Sequence, residues 1–231
     1  MAQPRSVSLS LLAANARRSV DADSKTAGTY RVIKDMIVSL ELPPAALIDE
    51  RGLAERLGVG LTPVRLALRR LQWESLVVIL PRRGTLVADL NDSDLQRIYE
   101  MRAVLEPLAA AQAAKLATAE QKVVLVDLIS RTRVALAADR PDSSVLLALD
   151  RELHRLLWSM ASNPMLEQTL EWIFSHVLRR WNAAIGRVGD LPVAIADHLP
   201  IAAAVLAGDA DMAQRQMTAH VDRFQRAMER I

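Results

Sequence analysis

The sequence predicts a mainly α-helical chain, with an N-terminal winged helix-turn-helix and a C-terminal antiparallel all-helical bundle. Three observations carry that expectation. Two short amphipathic segments flank the glycine-rich connection Gly58-Val59-Gly60, and two β-branched runs follow on either side of Pro81-Arg82-Arg83-Gly84. From Asn91 onward no strand pattern recurs, and apolar residues repeat at helical spacing only. The expected divisions are a flexible arm over residues 1–25, the winged helix-turn-helix over 26–90 and the bundle over 91–231.

In the arm, Leu9, Leu11 and Leu12 stand among Arg5, Arg17 and Arg18, an apolar run too short for the core of a secretion signal. Thr29 to Leu40 reads as a helix with Val32, Ile33, Met36, Ile37 and Leu40 on one side, ended by Leu42-Pro43-Pro44. A second helix is expected over Ile48 to Leu57. The third opens with Thr62 as an N-cap oxygen and Pro63 at the first helical position, where a missing N–H costs nothing. Val64, Leu68 and Leu71 form its apolar stripe, and Arg65, Arg69 and Gln72 repeat the same spacing on another face. Leu76 to Leu80 and Thr85 to Ala88 make a hairpin whose tip carries Arg82, Arg83 and Gly84, a shape suited to backbone phosphates. A helix pair with such a wing places its second helix in a DNA major groove.

Six helices are expected in the bundle: Asp94 to Ala117, Ala119 to Ala138, Ser143 to Ala161, Pro164 to Ala184, Pro192 to Ala207 and Asp209 to Arg230. Breaks fall at Asp139-Arg140-Pro141-Asp142, Ser162-Asn163-Pro164, Gly186 to Gly189 and Gly208-Asp209, and such short connections imply antiparallel neighbours. With 51% apolar residues the chain can bury a large core. Cysteine is absent, which excludes disulfides and thiolate metal sites and fits a reducing cytoplasm. No apolar run reaches the roughly 20 residues of a membrane span. Formal charge is +4 over the first 90 residues and −2 over the rest, the distribution of a basic nucleic-acid module joined to a slightly acidic partner domain.

Leu53-Ala54-Glu55-Arg56-Leu57-Gly58-Val59, then Thr62-Pro63-Val64-Arg65 and Arg83-Gly84-Thr85, resemble the winged helix-turn-helix of the GntR family of bacterial transcription regulators. The helical part is similar to the FCD ligand-binding domain of the FadR-type subgroup. There, Glu100 to Pro107 fits the opening helix, and Asp150, His154, Asn163, His198 and His220 fit the later signature. The resemblance implies a DNA-binding regulator, most often a repressor in relatives, and no enzyme. It nominates Arg51, Thr62, Arg65, Arg83 and Gly84 for DNA contact, to which facing and turn position add Arg69 and Arg82. The chain departs from the family at Leu61, where relatives commonly carry a guanine-reading arginine, and at Leu66, where they carry glutamate. Loss of a bidentate arginine contact removes roughly 1–3 kcal/mol of discrimination, so either an atypical operator or weaker binding is expected.

A second constellation lies in the bundle. Asp150 and His154 are one helical turn apart. His198 lies ten residues before Gly208 and His220 eleven after Asp209, so at about 1.5 Å per residue both sit level across the turn. One carboxylate and three imidazoles suit a divalent transition metal, zinc first and nickel or manganese as alternatives, with positions left open for a ligand. His176 falls level with Asp150 and is expected as a contact to the effector, a supporting residue or core. Arg102, which the resemblance puts near the pocket, either clamps the carboxylate of a small organic acid or pairs with Glu106, and its neighbours Val104 and Leu105 are expected to face inward. The chain is therefore expected to act as a homodimer on a pseudo-palindromic double-stranded DNA operator, answering to a small carboxylate effector. Two other functions fit the same residues: a metal-dependent enzyme using the Asp/His3 site, and a DNA-binding protein whose bundle only dimerises.

Overall fold

The computed structural model describes residues 25–184 and 191–228. All but the last residue of the expected arm, the break at Gly186 to Gly189 and the end of the final helix at Arg230 lie outside the described residues. The chain divides into two compact units at Leu90 and Asn91.

In the first unit, helix α1 spans 25–38, and Thr29 sits inside it with its hydroxyl donating to the Lys25 carbonyl at 2.8 Å. Ile33, Met36 and Ile37 are buried, but Val32 is 44% exposed, so the apolar face is narrower than expected. Ile48 is not helical. It pairs in strand β1 (Leu47–Ile48), because Asp49 caps the next helix by accepting from the Arg51 N–H at 3.0 Å. Helix α2 (Glu50–Leu57) ends at Gly58, whose φ of 62° is the left-handed conformation that glycine adopts without strain.

Helix α3 runs Leu61–Trp73 and starts one residue before Thr62. The expected Thr62 cap is therefore corrected: Gly60, in extended conformation, is the cap, and no side chain bonds to the helix start there. Pro63 still falls in the first turn, where its missing N–H leaves no bond unmade. Val64, Ala67, Leu68 and Leu71 are buried against α1, β1 and α2 residues including Ile33, Ile48 and Leu53. Strands β2 (Val77–Leu80) and β3 (Gly84–Val87) pair antiparallel with Leu80 opposite Gly84, and β1 joins the other edge of β3 to give the order β1-β3-β2.

The second unit is helical among its described residues: α4 (Asp92–Leu116), α5 (Ala119–Leu136), α6 (Ser143–Met160), α7 (Pro164–Ala184), α8 (Leu191–Ala196), α9 (His198–Ala207) and α10 (Ala210–Met228). Thr118 and Gln121 form a reciprocal capping box at α5, and Asp142 caps α6. The single helix expected over Pro192 to Ala207 is two. Pro200 lacks an N–H for the Ala196 carbonyl four residues back and its ring crowds that carbonyl, so the first helix stops at Ala196. Helix α4 packs against α6, α7, α9 and α10. Its small residues Ala110, Ala113 and Ala114 let these partners approach, and Leu125, Leu153, Leu157, Val205 and Met217 fill the core around them.

Candidate metal centre and nucleic-acid interface

Amphipathic spacing in α3 turns Thr62, Arg65 and Arg69 to the surface on the side opposite the Val64 and Leu68 stripe. Arg51 on α2 is exposed as well, and so are Arg82, Arg83 and Gly84 at the hairpin tip. Arg82 has φ 62° and Gly84 φ 101°, which closes the three-residue loop. Arg65 is not free: its Nε donates to Glu50 Oε2 at 2.8 Å, tying α3 to α2. Leu66 is 47% exposed on the same side, while Leu61 is half-buried against the core of the unit.

In the second unit, α6 brings Asp150 and His154 together, α9 supplies His198 and α10 supplies His220. All three imidazoles are buried, and one ring nitrogen from each lies within 4.8 Å of the others. The His198 and His220 ring centroids are 4.3 Å apart, as the level placement across Gly208 requires. Gly208 takes φ 76°, a left-handed C-cap that turns the chain straight back into α10. His154 Nε2 and His198 Nε2 stand 3.1 Å apart, with Asp150 Oδ1 3.8 Å from the first and 3.5 Å from the second. His198 Nδ1 faces the Ile195 carbonyl at 3.2 Å, a contact that gives the proton to Nδ1 and leaves a lone pair on Nε2.

Behind His154 lies a buried ion pair on α4. Arg102 Nε donates to Glu106 Oε1 at 2.6 Å, and Glu106 Oε2 is 3.2 Å from His154 Nδ1 but off the line of a hydrogen bond. Arg102 thus makes the Glu106 pair and also lines the cavity; its guanidinium lies 4.9 Å from the centre of the Phe224 ring, and its Nη1 has no hydrogen-bond partner. Val104, expected to face inward, is 68% exposed; the inward positions are Arg102 and Glu106, one turn apart. The cavity's other walls are apolar, with Phe174, Trp181, Ile195 and Phe224 among them.

Burial governs the charges here. It pushes the Asp150 carboxyl up, against the pull of His154, His220 and Arg102. It also holds His198 well below its ordinary value and His220 below it, and neighbouring imidazoles add to both shifts. Burial would raise Glu106 too, but the Arg102 guanidinium and His154 outweigh it and keep that carboxyl well below the usual carboxylate range. Imidazoles held neutral are the form that ligates a metal. Two nitrogens each about 2.0–2.1 Å from one ion stand roughly 3.0–3.4 Å apart, the spacing His154 and His198 have. Without an ion, two such nitrogens need a shared proton. The donor set therefore fits a divalent transition cation.

His176 is not brought to this cluster. It is half-buried on α7 with its ring against Trp172 at 5.8 Å, and Phe174 faces His154 instead, at 4.8 Å. Asp197 was missed by the sequence reading. Its Oδ2 lies 3.9 Å from His220 Nδ1 and accepts from Arg223 Nε at 2.6 Å.

Comparison with known proteins bears on both sites. The family profile for the FCD domain matches residues 97–223, and that for bacterial regulatory proteins of the gntR family matches residues 25–87. The chain belongs to the GntR family and carries an FCD domain. An HTH-type transcriptional regulator from the TAR-I ttuE-ttuC' intergenic region of Agrobacterium vitis is 32% identical to this GntR protein over 62% of this chain and 85% of the relative. The HTH-type transcriptional repressor RspR of Escherichia coli K12 is 26% identical over 87% of this chain and 88% of its own. Escherichia coli McbR/YncC shares the fold, with a TM-score of 0.79 at 21% identity over 89% of this chain and 97% of that one. This GntR protein is accordingly a DNA-binding transcriptional regulator and not an enzyme. Among the described residues no helix is long and apolar enough to cross a membrane.

Proposed function

We propose that this regulator is a homodimeric repressor whose FCD domain holds a divalent cation through Asp150, His154, His198 and His220 and binds a small carboxylate effector beside it. The observation that carries the reading is the convergence of three buried imidazoles and one carboxylate from three helices. Zinc suits this donor set best, with nickel or manganese as alternatives, and the bound cation supplies open coordination positions to an anionic oxygen. Arg102 supports the carboxylate: it lines the cavity, and its buried Nη1 has no hydrogen-bond partner. His176 lies outside the cavity lining and is left out of the effector site. Repression is supported by RspR, a repressor by name.

On the DNA side, Arg51, Thr62, Arg65, Arg69, Arg82, Arg83 and Gly84 form the contact set, and two copies reach a pseudo-palindrome with recognition helices about one DNA turn apart. The test uses the full chain freed of metal by chelator, titrated with zinc, then screened by thermal shift against mono-, di- and tricarboxylates. Zinc raises the melting midpoint, one class of acid raises it further only with zinc present, and His198→Ala abolishes both effects. A wild-type protein that takes up no zinc, nickel or manganese overturns the reading.

A further inference from the structure

The geometry points to Glu106 as the positioning residue of the metal centre, acting through His154 rather than on the ion. This rests on the proposed cation site. His154 presents Nε2 toward His198 and Asp150, and Glu106 Oε2 stands on its opposite edge, 3.2 Å from Nδ1. A histidine that ligates through one nitrogen is oriented by giving the proton on the other to a carboxylate or carbonyl. The Ile195 carbonyl does this for His198, and Glu106 is the oxygen available to His154.

Glu106 is itself held from behind. Arg102 fixes its other oxygen at 2.6 Å, and both side chains are buried, at 1% and 0% exposure. Pro107 follows directly and removes one N–H from the α4 ladder at that turn. A buried carboxylate with one oxygen committed and the other unpartnered calls for a donor, and His154 Nδ1 is the unpartnered buried atom beside it. A small rotation of either ring or carboxylate turns the 3.2 Å contact into a hydrogen bond, and seating an ion on Nε2 supplies the reason for that rotation. Arg102 also lines the cavity, so the chain Arg102–Glu106–His154 joins the place where an effector carboxylate would sit to one ligand of the metal.

The test compares wild type and Glu106→Gln by zinc competition against a chromogenic chelator, with the protonated nitrogen of His154 read by 15N NMR. The side-chain amide that this substitution introduces would offer an N–H where His154 must donate, forcing the proton onto Nε2. The variant is expected to bind zinc 10- to 100-fold more weakly and, without metal, to melt below the Arg102→Met/Glu106→Gln pair, which removes the buried charge left unpaired and is expected to bind zinc just as weakly. The zinc-loaded wild type is expected to show Nδ1–H on His154, a readout that needs no variant to fold. Equal zinc affinity in wild type and variant, or ligation of zinc through His154 Nδ1, overturns the role of Glu106 alone. A wild type that binds no cation overturns the site proposal and this one with it.

Discussion

Arg65 shows how one side chain can be placed by the fold and still be available to a ligand. Its guanidinium is 63% exposed and leans on Glu50, and an ion pair that open to water contributes little to stability. The partner instead holds the side chain out along α3. Arg65→Ala is expected to weaken binding to a duplex selected from a random pool by about 10-fold or more, on the order of 1–3 kcal/mol, with the melting midpoint nearly unchanged. A gel-shift titration at fixed salt decides it, and unchanged affinity removes Arg65 from the contact set. At the same scale, Asp150 with His154 was legible because residues four apart on a helix share a face, and His198 with His220 because equal arms across a glycine turn come level. Glu106 was legible only as the partner of Arg102. Its approach to His154 joins α4 to α6, a relation between distant segments that no local spacing encodes.

At the scale of elements, what the sequence made legible depended on whether a single periodicity decided each helix. The α3 stripe did, since Val64, Leu68 and Leu71 are all essentially buried. Leu68→Ala is expected to cost about 2–5 kcal/mol, seen as a lower urea midpoint for unfolding of the first unit at unchanged slope. Strand β1 was missed because two residues are too short for a period of two, and Ile48 fits a helical stripe as well as a strand. The start of α3 was shifted because Thr62 and Gly60 both suit a cap, and backbone conformation chose Gly60. The division between α8 and α9 is signalled by Asp197-His198 and Pro200, which interrupt the apolar residues on either side. That division puts the Ile195 carbonyl within reach of His198 Nδ1.

At the scale of the whole molecule, a cluster of buried neutral histidines makes stability depend on acidity. His198 and His220 have their protonation held below the ordinary value of 6.5 by burial, so below about pH 6.5 the unfolded chain takes up protons that the folded one refuses. The stability these two histidines contribute is therefore full above that pH and is lost as pH falls through it. Glu106 has the opposite charge but the same direction: its carboxyl is held below the usual range, so its contribution is lost only at more acidic pH, below its ordinary value of 4.5. The chelator-treated chain is expected to melt at progressively lower temperature from about pH 7.5 to about pH 5.5, and a flat profile over that interval would contradict the burial of neutral imidazoles. Saturating zinc should raise every point and steepen the slope, because ligation requires the unprotonated rings.

The hairpin at Gly208 carries one more consequence, for how such chains can diverge. His198 and His220 hang from arms of nearly equal length, and one residue added to or removed from either arm swings its ring by about 100° around the axis. Insertions and deletions are thus tolerable in the connection between α5 and α6, where no ligand is counted from the join, and are barred from the stretch of chain that separates these two rings.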